Sequence, residues 1–137
     1  MEQYIGVKLV SAEPEDKLIS EKNLGNGTGV QRTFEEGYKV VYEDGYTSWS
    51  PKDVFEKAYI KYQPYTNITV DGIRPEYQIR VITEAVELQS KIDKLNTFIK
   101  DNVTFQLSSN EEQLRLKQQL LAMQYYVTIL SQRINNF

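Results

Sequence analysis

Two apolar seams in the second half of the chain constrain its fold more than any other feature. Val81, Ala85, Leu88, Ile92, Leu95 and Ile99 follow one another at alternating steps of four and three. Leu116, Leu120, Met123, Val127, Leu130 and Ile134 repeat the same alternation. Such steps keep side chains on one stripe of an α-helix. Pro75 stands near the start of the first run, and residues 101–108 break it. Ser109 and Glu112 then form a capping box, in which serine and the acid three places on satisfy free backbone N–H groups. The simplest packing of two such runs is an antiparallel helical hairpin over 73–137. Leu114, Leu121, Tyr125, Tyr126 and Ile129 fall off the main seam. They have to meet the β part or another subunit, so a homodimer or higher homo-oligomer is expected.

Residues 1–72 read as strands and turns. Tyr4 to Val10 is rich in strand formers, with Ile5, Val7 and Leu9 on one face. Residues 11–37 are polar, carry Gly25, Gly27 and Gly29, and read as a flexible loop. Tyr38 to Glu43 is the next strand, Asp44-Gly45 suits a tight type I′ turn, and Tyr46 to Trp49 returns. Ser50 is placed to cap a short helix through Pro51 and Asp53 to about Ala58. Tyr59–Tyr62 and Thr66–Val70 are further strand candidates. The expected class is α+β: a small antiparallel β core with a short helix, then the hairpin.

Composition narrows the chemistry. The 137 residues include no histidine and no cysteine. That excludes Cys/His zinc sites, Ser–His and Cys–His catalysis, and disulfides. Sixteen basic residues against nineteen acidic ones give a net charge of −3, so no global field draws in DNA or RNA. The N-terminus has no basic, apolar leader, and no stretch suits a membrane span. A cytoplasmic setting follows, with no membrane partner.

The glycine stretch at 23–29 lacks the Gly-Lys-Ser/Thr ending of a phosphate-binding P-loop and reads as a loop. The acidic neighbours Glu13/Glu15/Asp16, Glu35/Glu36 and Glu43/Asp44 read as solvated surface. Gly45 to Lys52 gathers Trp49, Tyr46 and a helix start, as a phosphate site would, or as an ordinary buried tryptophan beside a capped helix would. From Gln113 to Phe137 there is no Asp or Glu; the charged side chains are Arg115, Lys117 and Arg133. Arg115 and Arg133 share one face about 27 Å apart, with Gln119, Ala122, Tyr126 and Ile129 between them. A two-fold partner would bring opposite ends together, and guanidinium forks suit phosphate. The simpler reading is a basic C-terminal end suited to the helix dipole.

Tyr4-Ile5-Gly6-Val7-Lys8, Ala12-Glu13-Pro14, Gly37-Tyr38, the run from Asp44-Gly45-Tyr46 to Phe55-Glu56, and the ending from Leu120 to Ile134 occur in a distinctive order. This order resembles the first type of Thoeris anti-defence protein. The resemblance implies a phage-encoded binding protein without enzymatic activity or cofactor. Such proteins sequester glycocyclic ADP-ribose, the signal of bacterial TIR-domain proteins, in the cytoplasm of the infected host. It implies a β core with C-terminal helices, dimers or larger oligomers, and pockets at subunit interfaces. Some members also hold cyclic oligonucleotides at a second site. Carried onto this chain, Phe105 is the adenine-stacking candidate, and Arg133 and then Arg115 are the phosphate candidates. Tyr125 and Trp49 are further candidates. The glycine loop at 23–33 departs from the shorter family pattern and is either a lid carrying Arg32 or padding. The competing reading is a structural or adaptor phage protein that uses the hairpin for oligomerisation.

Overall fold

The computed structural model describes residues 1–66 and 73–137. The chain divides into two compact units, Lys8–Ile60 and Met1–Val7 with Lys61–Phe137. The class is α+β, antiparallel sheets with a short helix followed by a long helical hairpin. Among the described residues, no helix is long and apolar enough to cross a membrane.

Five strands lie in the first unit: β1 (Ser11–Pro14), β2 (Lys17–Asn23), β3 (Val30–Glu35), β4 (Gly37–Val41) and β5 (Thr47–Pro51). Helix α1 (Lys52–Ala58) follows at once. β4 is the centre of a three-stranded antiparallel sheet ordered β1-β4-β5, with Ser11 opposite Val41 and Val41 opposite Thr47. Val40 is its most buried apolar residue. Among the described residues, β2 and β3 pair only with each other, through a bulge between Leu18 and Ser20.

Several local expectations are corrected here. Tyr4–Val10 has the alternation of a strand but pairs with no strand among the described residues; β1 begins only at Ser11. The polar stretch 11–37 is not a loop but holds β1, β2 and β3. β2 and β3 are exposed on both faces, so they lack the in–out alternation that betrays a strand. The glycine loop narrows to their turn, where Gly25, Asn26, Gly27 and Gly29 all take positive φ. The Asp44-Gly45 turn is not type I′. Only Gly45 has positive φ, the Gly45 N–H donates to the Tyr42 carbonyl at 2.9 Å, and the Tyr42 N–H donates to Tyr46 at 2.8 Å. This is the three-residue loop in which a final left-handed glycine forms a bulge. Ser50 belongs to β5 and makes no cap bond; the Lys52 N–H is taken by the Glu36 carbonyl at 3.0 Å. Tyr59–Tyr62 forms no strand. The strand candidate at 66–70 lies outside the described residues beyond Thr66.

The hairpin follows its seams. α2 (Glu76–Asp101) and α4 (Asn110–Asn135) have 26 residues each, about 39 Å of helix. The short α3 (Val103–Leu107) fills the break between them. The Asn102 Oδ1 accepts the Thr104 N–H at 2.8 Å, and the Ser109 Oγ accepts the Glu112 N–H at 3.2 Å. The Gln113 side-chain amide sits 3.1–3.2 Å from the carbonyls of Phe105, Gln106 and Ser108, and so draws the turn together. Ala85 and Val127 are wholly buried, and Ile92, Leu130, Ile134, Val81 and Ile82 complete the core. Tyr65 joins that core ahead of α2. Its N–H donates to Gln89 of α2 at 3.0 Å, and the Gln63 N–H donates to Thr128 of α4 at 3.1 Å.

Among the described residues, Leu130 carries the largest fully buried side chain. Leu130→Ala is expected to cost about 2–5 kcal/mol through lost burial and the cavity left behind. Urea unfolding followed by the helical circular-dichroism signal measures it.

A candidate ligand-binding face on the helical hairpin

The stripe from Arg115 to Arg133 lies open along α4. Arg115, Gln119, Ala122, Tyr126 and Arg133 are exposed, and Ile129 is half-buried. This follows from the seam: with Val127, Leu130 and Ile134 turned inwards, residues off that stripe turn out.

The two arginines stand in different surroundings. The Arg115 Nη2 and Nε lie 2.9 and 3.0 Å from Glu112 Oε2, so the guanidinium already holds a carboxylate. Arg133 has no ion-pair partner among the described residues. Two turns before it, the Tyr126 hydroxyl donates to Glu84 of α2. That hydrogen bond holds the Tyr126 phenol above its ordinary range, with desolvation and the Glu84 charge adding to the effect; Arg133 pulls the other way. The Tyr126–Glu84 hydrogen bond therefore bridges the two helices. Tyr125, beside it, is about half exposed. An exposed aromatic ring and a guanidinium without a carboxylate suit stacking on a base and forked hydrogen bonding to a phosphate.

Phe105 is placed differently. It is 6% exposed and packs edge-on against Phe98, with ring centroids 6.0 Å apart and planes at 77°. In the single chain it is packing, with little face open to a base. Close by, a depression of about 300 Å³ is lined by Lys94, Thr97, Phe98, Asp101 and Asn102. Its one cation and one anion give it no preference for a phosphate. Neither arginine of the α4 stripe lines it.

Trp49 belongs to the other unit and is a strut of the sheet. Its Nε1 donates to the Glu15 carbonyl at 2.7 Å, and the Lys17 ammonium lies 5.1 Å from the ring centre. The indole lies so close over Gly37 that a Cβ there would meet its Cζ2 at 2.3 Å. The same unit carries an aromatic stack that the sequence analysis missed. Tyr38 and Phe55 rings are 4.4 Å apart and Phe55 and Tyr59 rings 5.0 Å apart. The Tyr38 hydroxyl donates to Glu56 at 2.8 Å, which raises its pKa. The clue available was the four-residue step from Phe55 to Tyr59, which puts both on one face of α1. The acidic neighbours are all exposed, with Glu13 and Glu36 in ion pairs to Lys39 and Lys52. No group of three carboxylates that could hold a metal occurs among the described residues.

Residues 75–136, which run from the cap of α2 to the end of α4, match the Sequestin family. No curated protein and no solved structure matches the chain.

The Tyr126–Glu84 bond has a titration signature. A phenol whose folded pKa is raised stabilises the fold fully below its unfolded pKa of about 10, and that contribution is lost as pH rises through the higher folded value. Spectroscopic titration of tyrosinate is expected to show late-ionising phenols, with one fewer in Tyr126→Phe. In Glu84→Ala, Tyr126 is expected to ionise near the ordinary value. An unchanged late component in both variants would contradict the bond.

Proposed function

We propose that this protein sequesters a cyclic ADP-ribose signal, glycocyclic ADP-ribose, holding it without cleavage and so blocking Thoeris defence in the cytoplasm of an infected bacterium. The observation that carries the reading is the match of residues 75–136 to the Sequestin family, whose name denotes holding rather than turnover. The hairpin's chemistry supports it. Arg133 offers a guanidinium with no carboxylate partner among the described residues, and Tyr125 an exposed ring, on a helix without an acidic residue from Gln113 onwards. The N-terminal motifs and their order, which resemble those of the first type of Thoeris anti-defence protein, supply the choice of ligand.

The energetics set what such a site has to deliver. Nanomolar holding needs about −12 kcal/mol. One stacked base contributes about 1–3 kcal/mol, and each charge-assisted hydrogen bond to phosphate about 1.5–3. The remainder has to come from burial, which a face this open reaches by pairing with a second subunit. Phe105, enclosed against Phe98, then shapes the turn, while Tyr125 is the better-placed stacking ring.

The adaptor reading draws on the exposed Val86, Leu114 and Tyr125 of the same helices. One experiment separates the two. The protein is mixed with glycocyclic ADP-ribose, freed of unbound ligand and heat-denatured, and the released fraction is analysed. Intact ligand in stoichiometric amount is expected, with Arg133→Ala weakening binding about tenfold to a hundredfold at unchanged helix content. Altered ligand would make the protein an enzyme. No retained ligand would favour the adaptor or a different cyclic nucleotide.

A further inference from the structure

We propose that Asn26 is a site of self-modification, where the Gly27 backbone nitrogen displaces the side-chain amide and leaves an aspartyl or isoaspartyl residue at the tip of the β2–β3 ribbon. Residues 25–28 make the turn between the two strands. The Thr28 N–H donates to the Gly25 carbonyl at 2.9 Å, and Asn26 and Gly27 between them have φ of 48° and 70°. Two positive φ values closed by that bond mark a type I′ turn with Asn-Gly at its centre. Glycine takes such a φ freely, and asparagine is one of the few other residues that visit it. At the base of the turn the Leu24 N–H donates to the Gly29 carbonyl at 3.0 Å.

This turn leaves both reacting groups in the open. A β-turn is closed by the N–H of its fourth residue, so the N–H of its third, here Gly27, takes no part in the closure. Asn26 and Gly27 are both exposed. Among the described residues nothing lies within 4 Å of the place a Gly27 Cβ would take, so the nitrogen is unshielded. Other asparagines are engaged. The Asn23 Oδ1 accepts the Gly25 N–H at 2.9 Å, the Asn102 Oδ1 accepts the Thr104 N–H at 2.8 Å, and the Asn136 amide donates to the Gln132 carbonyl at 2.7 Å. Each is followed by a bulky residue, Leu24, Val103 or Phe137. The other Asx-Gly pair among the described residues, Asp44-Gly45, is held shut. Its Gly45 N–H donates to the Tyr42 carbonyl at 2.9 Å, and the Asp44 Oδ1 accepts the Tyr46 N–H at 3.0 Å.

The chemistry needs only water and hydroxide. Gly25, Gly27 and Gly29 let the backbone rotate until the Gly27 nitrogen meets the Asn26 Cγ. The nitrogen gives up its proton, a bond forms from nitrogen to Cγ, and the side-chain amide leaves as ammonia with that proton. The product is a succinimide ring. Water then opens the ring, its hydroxyl going to a carbonyl carbon and its proton back to the nitrogen. Opening at Cγ leaves aspartate; opening at the main-chain carbonyl leaves isoaspartate, with the chain running through the side chain. Either product adds a negative charge to a chain already at −3. The isoaspartyl form also lengthens the backbone by a methylene, which breaks the Thr28–Gly25 closure.

The test incubates the full-length chain at mildly alkaline pH, with and without urea, and maps its peptides by mass spectrometry. In the folded chain the Asn26 peptide is expected to gain the mass of an amide-to-acid exchange and to split into two chromatographic species. An isoaspartyl carboxyl methyltransferase should label one of the two. Asn26→Gln is expected to lose the gain completely, because its longer side chain has to close a larger and slower ring. Asp44 is expected to stay normally linked in the folded chain and to isomerise in urea. No gain at Asn26, or an earlier gain at Asn23, Asn102 or Asn136, would overturn the proposal. Equal isomerisation of Asp44 with and without urea would also overturn it, since the two turns would then not differ in what they leave open.

Discussion

The close approach of α2 and α4 is the contact on which the helical unit depends. It is made possible by Ala85, a side chain small enough to vanish entirely between Ile82, Ile92, Val127 and the other core residues. Helices that meet at a small residue bring the larger neighbours on either side into interlocking contact. With that seam inside, the arginines and tyrosines of α4 have only the outer faces left to occupy. The same packing brings Glu84, next to Ala85, within reach of Tyr126, next to Val127. That polar bond is a by-product of the apolar contact.

The hairpin was legible because its signal is repeated: two seams, each of six residues, with a capping box at the second start. Every member of those seams is buried or half-buried. The β unit was legible only in part. β4 and β5 carry alternating apolar residues around a glycine turn and were found. β2 and β3 have no buried face, so hydrophobic alternation had nothing to report. Tyr4–Val10 failed in the opposite sense: its alternation is real, and no strand among the described residues pairs with it. The capping role expected of Ser50 was lost to a competing acceptor, since the Glu36 carbonyl takes the first N–H of α1.

Among the candidate binding residues, residue type was legible and environment was not. A phenylalanine in a helix connection looks the same in sequence whether it faces solvent or another ring. The contact of Phe105 with Phe98 depends on the turn geometry set by Asn102, Gln113 and Ser109. Trp49 likewise looks like a platform until Gly37 is seen beneath it. Arg115 and Arg133 are distinguished only by which of them has a glutamate three places earlier on its own helix. Arg115 has Glu112; Arg133 has Leu130.

The two hydrogen bonds made by the stretch ahead of α2 give the hairpin a property of its own. Gln63 is tied to α4 and Tyr65 to α2, with one residue between them. The distance between the two anchor points is therefore gauged by two backbone steps, like the jaws of a caliper set to one width. Sliding or splaying of either helix at this end would break a bond or drag Tyr65 out of the core. A molecule settling on the outer faces of α2 and α4 meets a surface of preset spacing, so little of its binding energy goes into ordering the protein.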